Sequence, residues 1–84
     1  MIYYLLICRS ITYAQRAARA LERAGITAIV TRAPQKISVD GCAYCVRVTG
    51  RYISQALVVI REAGLYPVRV FAQYADGNLS EVGV

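Results

Sequence analysis

Histidine is absent from this 84-residue sequence, and its five acidic residues are scattered along the chain. Cysteine is therefore the only strong nucleophile type that remains, and it can act without a histidine base only if it ionises by itself. Of the cysteines, Cys42 is the first candidate for chemistry, because it lies where a proline-marked loop turns into an apolar strand. The rest of the chain is interpreted as a small scaffold that holds this segment.

No apolar run approaches the roughly 18 residues of a membrane span, although 57% of the residues are hydrophobic. The apolar start at residues 2–7 is too short for a signal peptide and has no basic region before it. Three cysteines are an odd number without the spacing of a disulfide framework. We therefore expect a cytoplasmic protein with free thiols and no membrane partner.

The apolar pattern predicts six elements and a single domain. Strands are predicted at 2–8, 26–32, 43–49 and 65–74, and helices at 12–24, capped by Thr12, and 51–63. The segment A-L-E-R-A-G-I at 20–26 is echoed by V-I-R-E-A-G-L at 59–65, so a βαβ unit occurs twice. Right-handed crossovers then give an α+β, ferredoxin-like βαββαβ fold over residues 1–74, with a four-stranded antiparallel sheet in the order 4-1-3-2 and both helices on one face. Residues 75–84 are predicted to be a C-terminal tail.

This topology should gather several reactive and charged side chains at one end of the sheet. The end of the first strand lies beside the start of the third, so Cys8 should lie close to Cys42. The first helix begins at the same end, where its free N–H groups and partial positive charge favour a thiolate. Arg9 and Arg32, both at strand ends, should lie there too. A cysteine in these surroundings is expected to have a lowered pKa and to be nucleophilic at neutral pH.

The pair Cys42 and Cys45 spells C-x-x-C, but its expected geometry argues against a redox or metal pair. In an extended strand these residues face opposite sides, with Cα atoms about 10 Å apart, and a disulfide requires less than about 7 Å. Structural zinc takes four ligands, which three cysteines without a histidine do not supply. We therefore predict no metal and no cofactor. Each cysteine also has a packing interpretation as a small buried hydrophobe, which is favoured for Cys45 and Cys8 and evenly balanced for Cys42.

Over about residues 3–71 the chain resembles a family of small proteins called putative selenium/sulfur carrier protein-like. The resemblance rests on two segments: L-E-R-A-G-I at 21–26, and P-Q-K-I-S-V-D-G-C-A-Y-C-V-R-V at 34–48. The pattern is a proline, a basic residue and a serine, followed by a cysteine that opens a strand ending in Arg-Val. The matching residues here are Pro34, Lys36, Ser38, Cys42 and Arg47, whereas Ala43 stands where the family has glycine and Cys45 is an addition.

The resemblance implies that sulfur or selenium is carried on Cys42 as a persulfide or selenopersulfide. The partners would be a sulfur donor such as a cysteine desulfurase and an acceptor enzyme, and the chain would be a carrier rather than a self-contained enzyme. This chemistry requires an exposed, partly ionised thiol and no general base. The residues considered as support for the thiolate or for partner docking are Cys8, Arg9, Arg32, Cys45 and Arg47.

The alternative is a ferredoxin-like module that binds or oligomerises without chemistry. Such sheets bind RNA through aromatic side chains on the first and third strands, where this sequence has Tyr3, Tyr4 and Tyr44. The third strand offers only one aromatic residue, however, so the sequence disfavours nucleic acid despite a net charge of +5. A further alternative is a homo-oligomer that pairs through the open face of the sheet.

Overall fold

The computed structural model describes residues 2–34, 37, 44–67 and 69–82 of the chain. Its five strands form one antiparallel sheet in the order β2-β3-β1-β4-β5. Among the described residues, no helix is long and apolar enough to span a membrane. The elements are β1 (Tyr3–Cys8), α1 (Ile11–Arg23), β2 (Ala28–Arg32), β3 (Tyr44–Thr49), a 3-10 turn (Gly50–Tyr52), α2 (Ile53–Glu62), β4 (Arg69–Gln73) and β5 (Leu79–Val82).

The central position predicted for the first strand is confirmed. β1 pairs with β3 from Tyr3↔Thr49 to Cys8↔Tyr44, and on its other side with β4. Its last four residues, Leu5 to Cys8, are all buried. A strand that is apolar on both alternating sets is covered on both faces, and this property places β1 in the middle of the sheet.

The predicted number of strands was wrong, because a fifth strand follows the four that take the predicted order. β5 pairs with β4 from Val70↔Val82 to Gln73↔Leu79, so β4 is not an edge strand. The turn between them contains Gly77, whose φ is 88, and Asp76 accepts a hydrogen bond from the Asn78 N–H at 2.9 Å. An Asp-Gly pair between two short apolar-polar segments is a strong hairpin signal, and it explains why residues beyond 74 join the sheet.

Helix α1 begins earlier than predicted. Its N-cap is Ser10 and not Thr12, since the Ser10 side chain accepts a hydrogen bond from the Tyr13 N–H at 3.2 Å. The helix buries a stripe of small and apolar side chains against the sheet, and this stripe consists of Ala14, Ala17, Ala18 and Leu21.

The two helices end in the same way, which gives the sequence repeat a structural basis. In each, a glycine adopts a positive φ, and the N–H of the next residue bonds to the carbonyl five residues earlier. This is the Schellman arrangement, in which only glycine avoids a steric cost. The pairs are Gly25 (φ 82) with Ile26 N–H to Leu21 O at 2.9 Å, and Gly64 (φ 77) with Leu65 N–H to Ile60 O at 2.9 Å.

The sheet carries a core on each face. The larger core lies between the sheet and the helices, and Leu6, Val46 and Leu21 are fully buried in it. The other face holds a second core of Leu5, Ile7, Ile37, Cys45 and Phe71. The homo-oligomer alternative assumes that this second face of the sheet is open. In the structure this face is covered in part by Ile37, which lies in the connection between β2 and β3.

Candidate functional site

At one end of the sheet, the last residues of β1 and β2 lie beside the first residue of β3, and helix α1 begins there. Cys8 at the end of β1 is in register with Tyr44 at the start of β3, and Tyr44 is in register with Arg32 at the end of β2. Ser10, the N-cap of α1, follows Cys8 by two residues. We refer to the end of the sheet defined by Cys8, Arg32 and Tyr44 as the site end. The structure thus brings Cys8, Arg9 and Arg32 to one end, as the topology predicts.

The predicted reactive residue, Cys42, lies outside the described residues, as do Lys36, Ser38 and Ala43 of the same segment. Its proximity to Cys8 and its role therefore stay predictions. Along the chain Cys42 precedes Tyr44, a residue of the site end, by two positions.

Cys8 is a core residue rather than an exposed thiol. Its side chain is 3% exposed and packs in the core beneath the helices. The Sγ donates a hydrogen bond to the Leu6 carbonyl at 3.4 Å. Burial, with a smaller contribution from Cys45, raises the pKa of Cys8 from 9.0 to about 12. The lowered pKa expected from the helix N-terminus does not hold for Cys8, because desolvation of a thiolate outweighs the field of the helix.

Cys45 is buried on the opposite face of the sheet. Its side chain is 0% exposed, within the core that also contains Ile7 and Phe71. Burial raises the pKa of Cys45 to about 11, and the neighbouring positive charge of Arg47 lowers it only in part. Both described cysteines therefore pack as small hydrophobes and remain protonated at neutral pH.

The arginines considered as support occupy different places. Arg9 and Arg32 are exposed, and the Arg32 guanidinium lies 6.0 Å from the centre of the Tyr44 ring. This is the outer limit of a cation–π contact. The place of Tyr44 between Arg32 and Cys8 was not recognised in the sequence, because it depends on the cross-strand register.

Arg47 does not belong to the site end. It opposes Leu5 on one side and Ile29 on the other, and its guanidinium lies 4.8 Å from the centre of the Tyr3 ring. Its Nε has no hydrogen-bond partner among the described residues. The alternation of β3 places Arg47 on the same face of the sheet as Cys45, where Arg47 opposes Leu5 and lies over the Tyr3 ring.

The three tyrosines considered for the RNA-binding alternative do not lie on one face of the sheet. Tyr4 and Tyr44 pack against the core beneath the helices, so only Tyr3 lies on the other face. The Tyr3 ring is covered there by Arg47. Stacking of bases needs accessible rings on one face, and the register of β1 and β3 does not provide them.

The described residues offer little else for chemistry at the site end. No group of three or more cysteine, aspartate or glutamate side chains among them could hold a metal ion. A groove of about 580 Å³ exists, but it lies at the opposite end of the sheet, lined by Ile2, Tyr4, Thr49, Gly50, Arg51 and Tyr52. At the site end, the described residues present the exposed side chains of Arg9 and Arg32.

Comparisons with known proteins bear on this arrangement. A family described as "Putative Se/S carrier protein-like" matches residues 3–71, which is most of the chain and includes every described residue of the site end. No curated protein and no solved structure matches the chain.

Proposed function

Because the chain belongs to the Putative Se/S carrier protein-like family, we propose that it carries sulfur or selenium on Cys42 and passes it to a partner protein. The carried atom is held as a persulfide or selenopersulfide. In this role the protein is a carrier between a donor such as a cysteine desulfurase and an acceptor enzyme, and the exchange needs no pocket for a free substrate.

The observation that supports Cys42 most directly is the burial of the other two thiols. Cys8 is 3% exposed and Cys45 is 0% exposed, with pKa values of about 12 and about 11. At pH 7 fewer than about one in a thousand of these thiols is ionised, and sulfur exchange requires the thiolate. Cys42 is the remaining cysteine of the chain.

We expect the site end to favour ionisation of Cys42. Two peptide units connect it to Tyr44, and each spans about 3.8 Å between Cα atoms. We therefore expect the positive groups of the site end to act on Cys42. These are Arg9, Arg32 and the N-terminal N–H groups of α1, all of which lower the pKa of a nearby thiol.

The proposed exchange balances without any further reagent. The Cys42 thiolate attacks the outer sulfur of the donor's persulfide, and a new S–S bond forms on Cys42. The donor's S–S bond breaks, and its electron pair leaves with the donor thiolate, while the outer sulfur keeps its proton. An acceptor thiolate then attacks the same outer sulfur and releases the Cys42 thiolate. Neither step consumes an oxidant or a base, in keeping with a chain that lacks histidine and with a reducing compartment such as the cytoplasm.

Intact mass measurement tests the proposal. The protein, purified without reductant, is incubated with a cysteine desulfurase and cysteine, and a gain of about 32 Da that reductant removes is expected for one persulfide. Cys42→Ser should show no gain. The matched control is Cys8→Ala combined with Cys45→Ala, which leaves Cys42 as the sole thiol and should still load. Selenocysteine in place of cysteine reports selenium by its larger mass.

Equal loading of Cys42→Ser and wild type would overturn the assignment. Circular dichroism shows whether each variant keeps its helices and sheet, so a loss of loading in a folded Cys42→Ser protein is attributable to the thiol. A loss of two hydrogens instead of a gain of sulfur would indicate an internal disulfide and would contradict the carrier role.

A further inference from the structure

Helix α1 presents a stripe of three arginines to solvent. Arg16, Arg19 and Arg23 are all exposed and fall within about 60° of the helix circumference, over a length of about 10 Å. We propose that this stripe, referred to below as the arginine stripe, docks an acidic surface of the protein that exchanges sulfur with Cys42. The identity of that partner rests on the proposed function, whereas the docking surface itself is argued from the charges of the helix.

The internal repeat supplies a comparison within the same chain. Aligning residues 20–26 with 59–65 superposes the buried positions of the two helices, such as Leu21 on Ile60, both at most 2% exposed. The exposed positions do not correspond in charge. Arg16, Arg19 and Arg23 of α1 align with Gln55, Val58 and Glu62 of α2, and all six are exposed. Folding of this helix–turn–strand unit therefore does not require arginine at these positions.

Within the described part of the chain, no ion pair neutralises the charge of the arginine stripe. Glu22 is the only acidic residue of α1, and among the described residues the sole ion pair joins Arg69 to Glu81. Arg19 and Arg23 are four residues apart, a spacing at which like charges repel on a helix surface. A stripe of like charges that has no ion-pair partner within the described chain is suited to an acidic partner outside it.

The arginine stripe lies on the helix that begins at the site end. α1 begins two residues after Arg9, beside Cys8 and Tyr44, and its 13 residues extend for about 20 Å from there. A partner that lies along α1 would therefore also reach the site end. This geometry orients a donor or acceptor thiol with respect to Cys42, which the proposed exchange requires.

The chemistry of the stripe favours a protein over a nucleic acid. Guanidinium groups form paired hydrogen bonds with carboxylates, and single-stranded nucleic acids additionally need aromatic rings on which bases stack. The one aromatic residue of α1, Tyr13, uses its hydroxyl to bind the backbone of Tyr66. The stripe thus offers charge without a stacking platform.

A titration with a defined acidic probe tests the inference. The protein is the full chain with Cys42→Ser, so that sulfur chemistry plays no part. The probe is a fluorescent helical peptide of about 20 residues with glutamates spaced to match the arginine stripe, and a glutamine version of it is the control. Anisotropy at low salt gives the affinity, and ¹⁵N chemical-shift changes locate the peptide on the protein.

Two double variants with the same change of net charge are compared. Arg16→Gln with Arg19→Gln should weaken peptide binding about tenfold, because carboxylate contacts of the stripe are lost. Arg51→Gln with Arg61→Gln removes two exposed charges outside the stripe and should change the affinity less than about twofold. Shift changes in the parent protein should be confined to the exposed side of α1 and the site end.

Equal losses in the two double variants would mean that net charge and not the stripe binds the peptide, and would overturn the inference. So would a single-stranded RNA of equal charge that binds the stripe more tightly than the peptide does. Failure of the proposed function gives a different result: no sulfur uptake by the wild-type protein, with stripe-specific peptide binding retained. Uptake at Cys42 without stripe-specific binding would refute the docking surface alone.

Discussion

Cys8 and Cys45 lie on adjacent strands, one register step apart, yet their side chains enter opposite faces of the sheet. Cys8 pairs with Tyr44 and Cys45 with Ile7, and the two thiols belong to different cores. A disulfide needs Cβ vectors that point toward each other, so the sheet itself keeps these two thiols apart.

Alkylation should distinguish the buried thiols from any accessible one. In the native protein at pH 8, iodoacetamide should leave Cys8 and Cys45 unmodified, because both are buried and protonated. The number of groups added, read by intact mass, should rise to three per chain in guanidinium chloride, one for each cysteine. The Cys42→Ser protein provides the stringent control, and its rapid native labelling would refute the burial of the other two thiols.

Stability should fall at alkaline pH because of the same two thiols. Their folded pKa values of about 12 and about 11 lie above the ordinary value of 9.0, so the unfolded chain loses its protons first. Their contribution is fully present below pH 9 and is lost as the pH rises toward the folded pKa values. From pH 8 to pH 10 we expect a loss of about 2 to 3 kcal/mol in the free energy of unfolding for the pair.

Urea denaturation at several pH values measures this loss. The control is Cys8→Ala with Cys45→Ala, in which tyrosines and other groups still titrate but the two thiols do not. The difference between the two pH profiles isolates the thiols. Parallel profiles for the two proteins would contradict the raised pKa values.

The cap of α1 can be tested by comparing two neighbouring residues. Ser10→Ala should destabilise the protein by about 1 kcal/mol, because the Tyr13 N–H loses its side-chain acceptor. Thr12→Ala should change the stability by less than about 0.5 kcal/mol, since Thr12 is an exposed residue inside the helix. Chemical denaturation measures the free energy of unfolding of both variants. A larger loss for Thr12→Ala than for Ser10→Ala would indicate that Thr12 is the N-cap.

Tyr13 joins α1 to the segment before β4. Its hydroxyl donates to the Tyr66 carbonyl at 3.1 Å and accepts from the Tyr66 N–H. Tyr13→Phe should therefore lower the free energy of unfolding by about 1 kcal/mol. Tyr74→Phe is the matched control, because the exposed Tyr74 hydroxyl has no partner among the described residues, and it should have little effect. Equal effects in urea denaturation would refute the role of the Tyr13 hydroxyl.

The sheet order and much of the core were predictable because they depend on periodicity. A strand apolar on both sets must be central, as β1 is, and glycines after repeated L-x-x-A or I-x-x-A segments mark helix ends, as Gly25 and Gly64 do. β5 was missed because four residues, L-S-E-V, carry too little apolar character to stand out. Its strand conformation depends on the Asp76-Gly77 turn and on pairing with β4, including the Arg69–Glu81 ion pair at 2.7 Å.

The chemistry of the described thiols was harder to predict than the fold. The sequence places Cys8 beside a helix N-terminus, whose field is worth about 1 kcal/mol. It does not show how completely the thiol is removed from water, and desolvation can shift a pKa by several units. The alternation of β1 carries part of the answer, since Cys8 shares the face of Leu6, which is 0% exposed. Burial therefore decides the protonation state of Cys8, and proximity to the helix does not.

The order of strands also has a consequence for biosynthesis. β1 is synthesised before both of its partner strands, since β3 comprises residues 44–49 and β4 comprises residues 69–73. Until those segments leave the ribosome, the apolar residues of β1 have no strand beside them. The sheet is therefore expected to form only after residue 73 has left the ribosome, with contacts of long sequence separation setting the rate of folding. During elongation the exposed β1 segment would be a natural target for chaperones that bind extended apolar chains.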